Sequence, residues 1–374
     1  MFEHLSKIIE RNKQLSIPSM DFLVYQNGKQ VYRYLYGVKD EKGTMLDGTE
    51  LYNIYSCSKI MTVTCALKLL EQGKICLDDD LAEYIPAFKD VKVLKNGGLY
   101  KAENKIKLFN LFTMTAGLNY DYNHEQIKLA RKETDGKCPT LLTMDYLAKM
   151  PLSFEPGERW QYSFCHDVLG ALVEVVSKKK FGDYAREYIF NPLGMKDTTF
   201  MLPKEKLSSV ARQFRHDGEN FVDVGKEIMY YKLGTDYESG GAGCVSTTKD
   251  YILFLEGLRT GKILSFDTIE LLTKDHLTEQ QKNTYGFTGH EYSYGLGVRV
   301  PNSKNLRTDF GWGGAAGAFA GVDINNGISV YYSQHVLQSP NKDYRKDIIE
   351  AVKLDLGLPA YAESMFVGTG SYLA

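Results

Sequence analysis

The chain lacks any run of about 18 consecutive apolar residues, the minimum for a bilayer-spanning helix. Its richest stretch, Ile60 to Leu70, is broken by Thr62, Thr64 and Lys68. The opening residues MFEHLSKIIE mix charge with apolar positions and read as an amphipathic helix, with no hydrophobic signal segment. From these absences we expect a soluble, cytoplasmic protein without a membrane span. Six cysteines, Cys57, Cys65, Cys76, Cys138, Cys165 and Cys244, are scattered without a CxxC pair, which fits reduced thiols better than a disulfide framework or a zinc site. The seven histidines show no metal-ligand spacing, and no glycine-rich phosphate loop follows a strand signal, so neither a metal nor another cofactor is expected. Basic residues are not concentrated either. Lys+Arg number 45 against 47 Asp+Glu, a net charge of −2 with no cationic stripe, so nucleic acid is not an expected partner.

What the chain does have is an ordinary globular composition: 374 residues, 43% hydrophobic and 25% charged, enough for a sizeable core. Two strand-like runs, Asp21 to Tyr25 and Gln30 to Tyr36, flank Asn27-Gly28, a tight-hairpin signal. From Ser56 to Gln72 apolar residues recur at helical spacing and Gly73 supplies a C-terminal cap, which predicts a buried helix starting near a serine. The middle third reads as helices and loops with few strand signals, the clearest periodic segments being 106–112, 141–149, 168–177 and 181–190. Thr247 to Asp250 opens a further helix that ends near Gly261. Tyr294 to Val300, Ala318 to Ile324 and Ile328 to Tyr332 then suggest a strand meander, and Lys346 to Leu356 a closing helix. Strands at both ends around a helical middle predict an α+β fold. We expect residues 1–76 and 236–374 to form a sandwich of antiparallel sheet and helices, and 77–235 a mainly helical region, with the active site in the cleft between them.

Ser56-Cys57-Ser58-Lys59 places a hydroxyl and an amine three residues apart, on one face of that helix's first turn. A serine hydroxyl becomes nucleophilic when a neighbour takes its proton, and a partly dehydrated lysine can do so. The helix N-terminus adds partial positive charge where an oxyanion would form. Taken alone, the pair equally describes a capping serine and a surface lysine. Two further segments follow it: Glu155 to Ser163, a turn leading to Tyr162, and Asp309 to Ala315, small residues on a late strand.

In that order of motifs the chain resembles the serine β-lactamase and penicillin-binding-protein superfamily, in its class C-like branch, which includes the family VIII carboxylesterases. Residues 111–118 (LFTMTAGL) are similar to the family's LLTHTSGL, residues 191–198 (NPLGMKDT) to its PLGMKDT, and 241–250 to its GGGLVSTARD. The resemblance spans roughly residues 20 to 335. It implies the β-lactamase/transpeptidase-like fold, with Ser56 as the acylated nucleophile, Lys59 as the activating amine and Tyr162 as the group that protonates the leaving group. It also implies an oxyanion hole from the backbone N–H groups of Ser56 and Ala315. Coupling between a lysine and a tyrosine, with ordinary pKa values near 10.4 and 10, brings proton transfer toward neutral pH; which of the two is the base stays open.

The departures bear on substrate. Where β-lactamases of this branch carry Tyr-x-Asn, this chain has Tyr162-Ser163-Phe164, and Trp312-Gly313-Gly314 stands in place of Lys-Thr-Gly. The readers of a substrate amide and of a substrate carboxylate are thus both replaced. The resemblance therefore implies a carboxylesterase-like serine hydrolase acting on a small ester or amide. A β-lactamase, a D-aminopeptidase or DD-peptidase, an acyltransferase and a non-hydrolytic sensor or pseudoenzyme are the alternatives. Trp312, Gly313, Gly314, Phe164 and Tyr120 are the expected substrate-binding residues. The stretch Asn119 to His124 is either a pocket wall or a solvated loop. Cys165 and His166 are adjacent in sequence and so point apart, which argues for helix packing over a dyad.

Overall fold

The computed structural model describes residues 2–225, 229–286, 291–302, 307–341 and 347–360. Seven strands form one antiparallel sheet: β1 (Ser19–Gln26), β2 (Lys29–Gly37), β3 (Tyr292–Tyr294), β4 (Arg299–Pro301), β5 (Phe310–Gly313), β6 (Phe319–Asp323) and β7 (Ile328–Ser333). Their spatial order is β2-β1-β7-β6-β5-β4-β3, so the two ends of the chain share a sheet. Asn27 and Gly28 both take positive φ, +49° and +79°, as a hairpin turn that follows the twist of its strands requires.

Strand alternation sorts the side chains into two cores. Phe22 and Val24 of β1 and Ile328, Val330 and Tyr332 of β7 pack on one face against helices α1 (Glu3–Gln14) and α5 (Ile348–Asp355), meeting Leu5, Ile9, Ile349 and Val352. Burying side chains of this size contributes about 1.5–3 kcal/mol each. Leu23 and Tyr331, one residue out of phase, face the larger core. There lie α2 (Ser58–Glu71), α3 (Cys165–Ser177) and α4 (Thr248–Arg259). Eleven side chains of α2, Ser58 to Leu67 without a break and then Leu69, are shut from solvent, which makes it a central helix and not a surface one.

Three expectations change. The run Tyr294 to Val300 is a hairpin, β3 turning into β4, because Gly297 takes φ +80° and the Gly295 N–H donates to the Val298 carbonyl at 2.8 Å. The middle third contains two short hairpins, Lys92–Lys95 with Gly98–Lys101 and Phe214–His216 with Phe221–Asp223. The first turns at Asn96-Gly97, with φ +49° and +77°, the same signal as Asn27-Gly28. Ser56 precedes α2, in a 3-10 turn over Tyr55–Cys57. Lys346, the expected start of the closing helix, lies outside the described residues.

One buried histidine ties these layers together and carries a pH prediction. His335 Nε2 accepts the Asn53 N–H at 3.2 Å, so the ring proton sits on Nδ1, which faces the carbonyls of Ala211 and Arg212 at 3.2 and 3.1 Å. A second proton would point at a donor, and burial holds the pKa down at about 4, against an ordinary 6.5. The unfolded chain therefore takes up a proton first as pH falls below 6.5, and stability drops by about 3 kcal/mol through this one group by pH 4. In His335→Asn, which tolerates the φ of +54° at this position, that part of the acid sensitivity should vanish. Urea unfolding of both proteins at pH 7 and pH 4 checks it: parallel losses in the two would contradict the assignment.

Candidate active site

Tyr55 has φ +48°, a left-handed backbone that costs a bulky residue about 1–3 kcal/mol. The surroundings hold it there. Its hydroxyl donates to Gln213 Oε1 at 2.6 Å, its ring meets Tyr231 edge-on at 5.6 Å, and it is fully buried. This reversal turns Tyr55 and Cys57 inward and leaves Ser56 as the partly exposed residue of the turn. The turn is pinned on several sides: the Ile54 N–H donates to the Cys244 carbonyl, the Tyr251 hydroxyl donates to the Cys57 carbonyl, and the Cys244 N–H donates to Ser58 Oγ.

Lys59, one turn further, is 1% exposed. Its Nζ donates to the Gly241 carbonyl at 2.6 Å and lies 3.4 Å from Ser56 Oγ. It also sits over two aromatic faces, 4.4 Å from the Tyr162 ring centre and 5.5 Å from that of Tyr120. A buried ammonium is costly unless such partners offset its lost hydration. Tyr162 Oη accepts the Trp312 indole N–H at 3.2 Å, while Trp312 itself is 2% exposed. Past the end of β5, a Cβ at Gly314 would lie 2.5 Å from the Ile54 carbonyl and 3.5 Å from Cys57 Sγ. Glycine there lets the strand end close on the serine turn, with Gly313 and Ala315, both half-buried, on either side.

The segment after Gly117 is a wall of the site. Tyr120 and Tyr122 stack at 5.3 Å, and Tyr120 meets Tyr162 edge-on at 5.5 Å. Phe164 is 1% exposed and packs its ring against both, at 4.7 and 5.0 Å, so its contacts are with these tyrosines. Tyr231 continues the wall, 5.7 Å from Tyr122. Burial pushes the Tyr120, Tyr122 and Tyr231 hydroxyls above the ordinary tyrosine range, so at neutral pH they stay protonated. Cys165 and His166 are buried in α3, where burial raises the Cys165 thiol to about 11; Cys165 meets the Ser163 hydroxyl and His166 Nε2 the Phe112 carbonyl. The structure thus gathers Ser56, Lys59, Tyr162, Trp312, Gly313, Gly314, Ala315 and Tyr120 at one place. For Tyr122 sequence reasoning left open a pocket wall or a solvated loop over 119–124, and it missed Tyr231 and the Gly241 carbonyl. For the last, the glycine run at 240–243 was the available signal.

A profile of the beta-lactamase family matches residues 5–353. The chain belongs to that family. Among curated proteins it is similar to Protein Rv1367c of Mycobacterium tuberculosis, 27% identical over 341 residues and covering 84% of each chain. It is also 27% identical to the monacolin J acid methylbutanoyltransferase of Aspergillus terreus, over 69% of this chain and 65% of that one. Among solved structures it is similar to EstCE1, described as a hydrolase with promiscuous acyltransferase activity. That likeness has a TM-score of 0.76 at 22% identity, covers 94% of this chain and 97% of the other, and shows the β-lactamase/transpeptidase-like fold. Among the described residues no helix is long and apolar enough to cross a membrane, and no group of three metal-ligating side chains comes together.

Proposed function

We propose that the protein hydrolyses small carboxylic esters through an acyl-enzyme on Ser56, in the cleft between the sheet-bearing residues 1–76 and 236–374 and the mainly helical residues 77–235. In this reading the Lys59–Tyr162 couple takes the Ser56 proton as Oγ attacks the ester carbonyl. The N–H groups of Ser56 and Ala315 hold the oxyanion. Tyr162 then returns the proton to the departing alkoxide, releasing an alcohol, and water repeats the sequence on the acyl-enzyme to give the acid and free Ser56.

The observation that supports an ester over a β-lactam or peptide is the Trp312 indole on Tyr162 Oη. It occupies the place where the family's Lys-Thr-Gly strand would put a cation for a substrate carboxylate. With Phe164 buried where an amide-reading asparagine would stand, neither of those polar readers faces the cleft. An ester also offers a better leaving group than an amine. The test compares kcat/KM for p-nitrophenyl butyrate, a chromogenic cephalosporin and a D-alanine anilide. We expect the ester to lead by at least about 100-fold, the scale on which a lost polar reader discriminates; a cephalosporin turned over faster than the ester would overturn the reading. A second reading, transfer to an alcohol in place of water, draws on the methylbutanoyltransferase relative. Its mark would be ester exchange outpacing hydrolysis when an alcohol is added.

A further inference from the structure

Beside the Gly241 loop that holds Lys59 lies a buried carboxylate with no part in the steps above. Asp167 stands in the first turn of α3 and is 2% exposed. Ser239 Oγ donates to its Oδ1 at 2.6 Å and accepts the Ala242 N–H at 3.0 Å. Its Oδ2 abuts Gly241, where any Cβ would collide with it and with the Tyr120 hydroxyl. The Gly243 N–H closes the loop by donating to the Ser239 carbonyl at 2.8 Å, and Thr62 of α2 donates to the Gly240 carbonyl at 2.7 Å. The loop so held presents the Gly241 carbonyl to Lys59.

The charged and titratable groups around Asp167 are few. From α2 comes Lys59, from the loop Tyr237, from the aromatic wall Tyr120 and Tyr122, and from α3 itself His166 and Cys165, whose thiol burial raises to about 11. The three tyrosines are held protonated by burial, and His166 is held neutral by burial and by the Lys59 charge. Lys59 is thus the cation this carboxylate faces. Burial raises the pKa of Asp167, and the Ser239 bond and the Lys59 charge oppose that rise.

We infer that Asp167 is a positioning residue for Lys59: it fixes the loop whose Gly241 carbonyl holds the ammonium, and its charge sets the pH at which the Lys59–Tyr162 couple gives up its proton. The inference rests on the acyl-transfer reading of Ser56. Its sign does not depend on which member of the couple is the base. Removing the negative charge takes stabilisation from the Lys59 cation and repulsion from a Tyr162 phenolate, so either group releases its proton at lower pH.

The test is the pH profile of kcat/KM for p-nitrophenyl acetate with wild type, Asp167→Asn and Ser239→Ala. In Asp167→Asn the acidic limb should move down by about 1 pH unit, the low end of what one neighbouring charge does. In Ser239→Ala the charge remains, so the limb should stay in place while kcat falls about 10-fold with KM unchanged. An Asp167→Asn limb that coincides with that of the wild type, beneath a lower plateau, would reduce Asp167 to a structural residue and overturn the inference. Should Asp167→Asn not fold, wild-type kinetics in Ser239→Ala would overturn it as well. Absence of ester turnover in the wild type would instead refute the acyl-transfer reading beneath it.

Discussion

Ser56→Ala should lower kcat/KM for p-nitrophenyl butyrate on the order of 10⁴-fold or more, to the residual level that binding alone supports. The fold should barely notice. Ser56 is partly exposed, and the turn around it is held by other groups: the buried Tyr55 side chain, the Ile54 and Cys57 backbone and Ser58 Oγ. The melting temperature is therefore expected within about 2 °C of wild type, as for a surface change worth less than about 0.5 kcal/mol. Retained turnover in a correctly folded Ser56→Ala protein would remove the nucleophile from the scheme. Lys59 does not permit so clean a test, because deleting a buried cation also strips the Gly241 carbonyl and two ring faces of their partner.

Tyr162→Phe is the second large effect, and it can separate acid from base. The substitution keeps the ring beneath the Lys59 ammonium and against Tyr120 and Trp160, and removes only Oη, leaving the Trp312 N–H without that acceptor. Loss of a general acid–base group costs about 10²–10⁴ in kcat. If Tyr162 protonates the leaving group, the loss depends on the alcohol. A p-nitrophenolate departs unaided, so its ester should lose about 10-fold, whereas an ethyl or benzyl ester of the same acid should lose nearer 10³-fold. Equal losses for both esters would instead make Tyr162 the base toward Ser56. Steady-state kinetics on the matched ester pair decide between them.

The local parts of this site were legible and the assembled parts were not. Ser56 and Lys59 sit one helical turn apart, so their meeting follows from spacing alone, and the position of Tyr162 followed from the order of motifs. The sheet shared by both chain ends was likewise readable from where the strand-like runs fall. Asp167 carried no signal, because what matters about it is its contact with Ser239 and Gly241, some seventy residues later in the chain. Of the aromatic wall, the stretch 119–124 was marked as one of two alternatives, and its assembly was not legible. Tyr122 and Tyr231 are two of 26 tyrosines until the fold brings their rings to 5.7 Å. Tyr294 to Val300 looked like one strand because its apolar pattern outweighed two glycines, and Gly297 in fact supplies the turn. The strain at Tyr55 was hidden for a different reason: a bulky residue at positive φ is against local preference, and only the pocket formed with Gln213 and Tyr231 sustains it.

Activation of Ser56 as a nucleophile underlies every step proposed above. Intact-protein mass spectrometry after incubation with a fluorophosphonate, followed by peptide mapping, tests it most directly. One phosphonyl adduct per chain is expected, located on the Ser56-Cys57-Ser58-Lys59 peptide at Ser56 and absent from Ser56→Ala. An adduct on another serine, or equal labelling of Ser56→Ala, would contradict it.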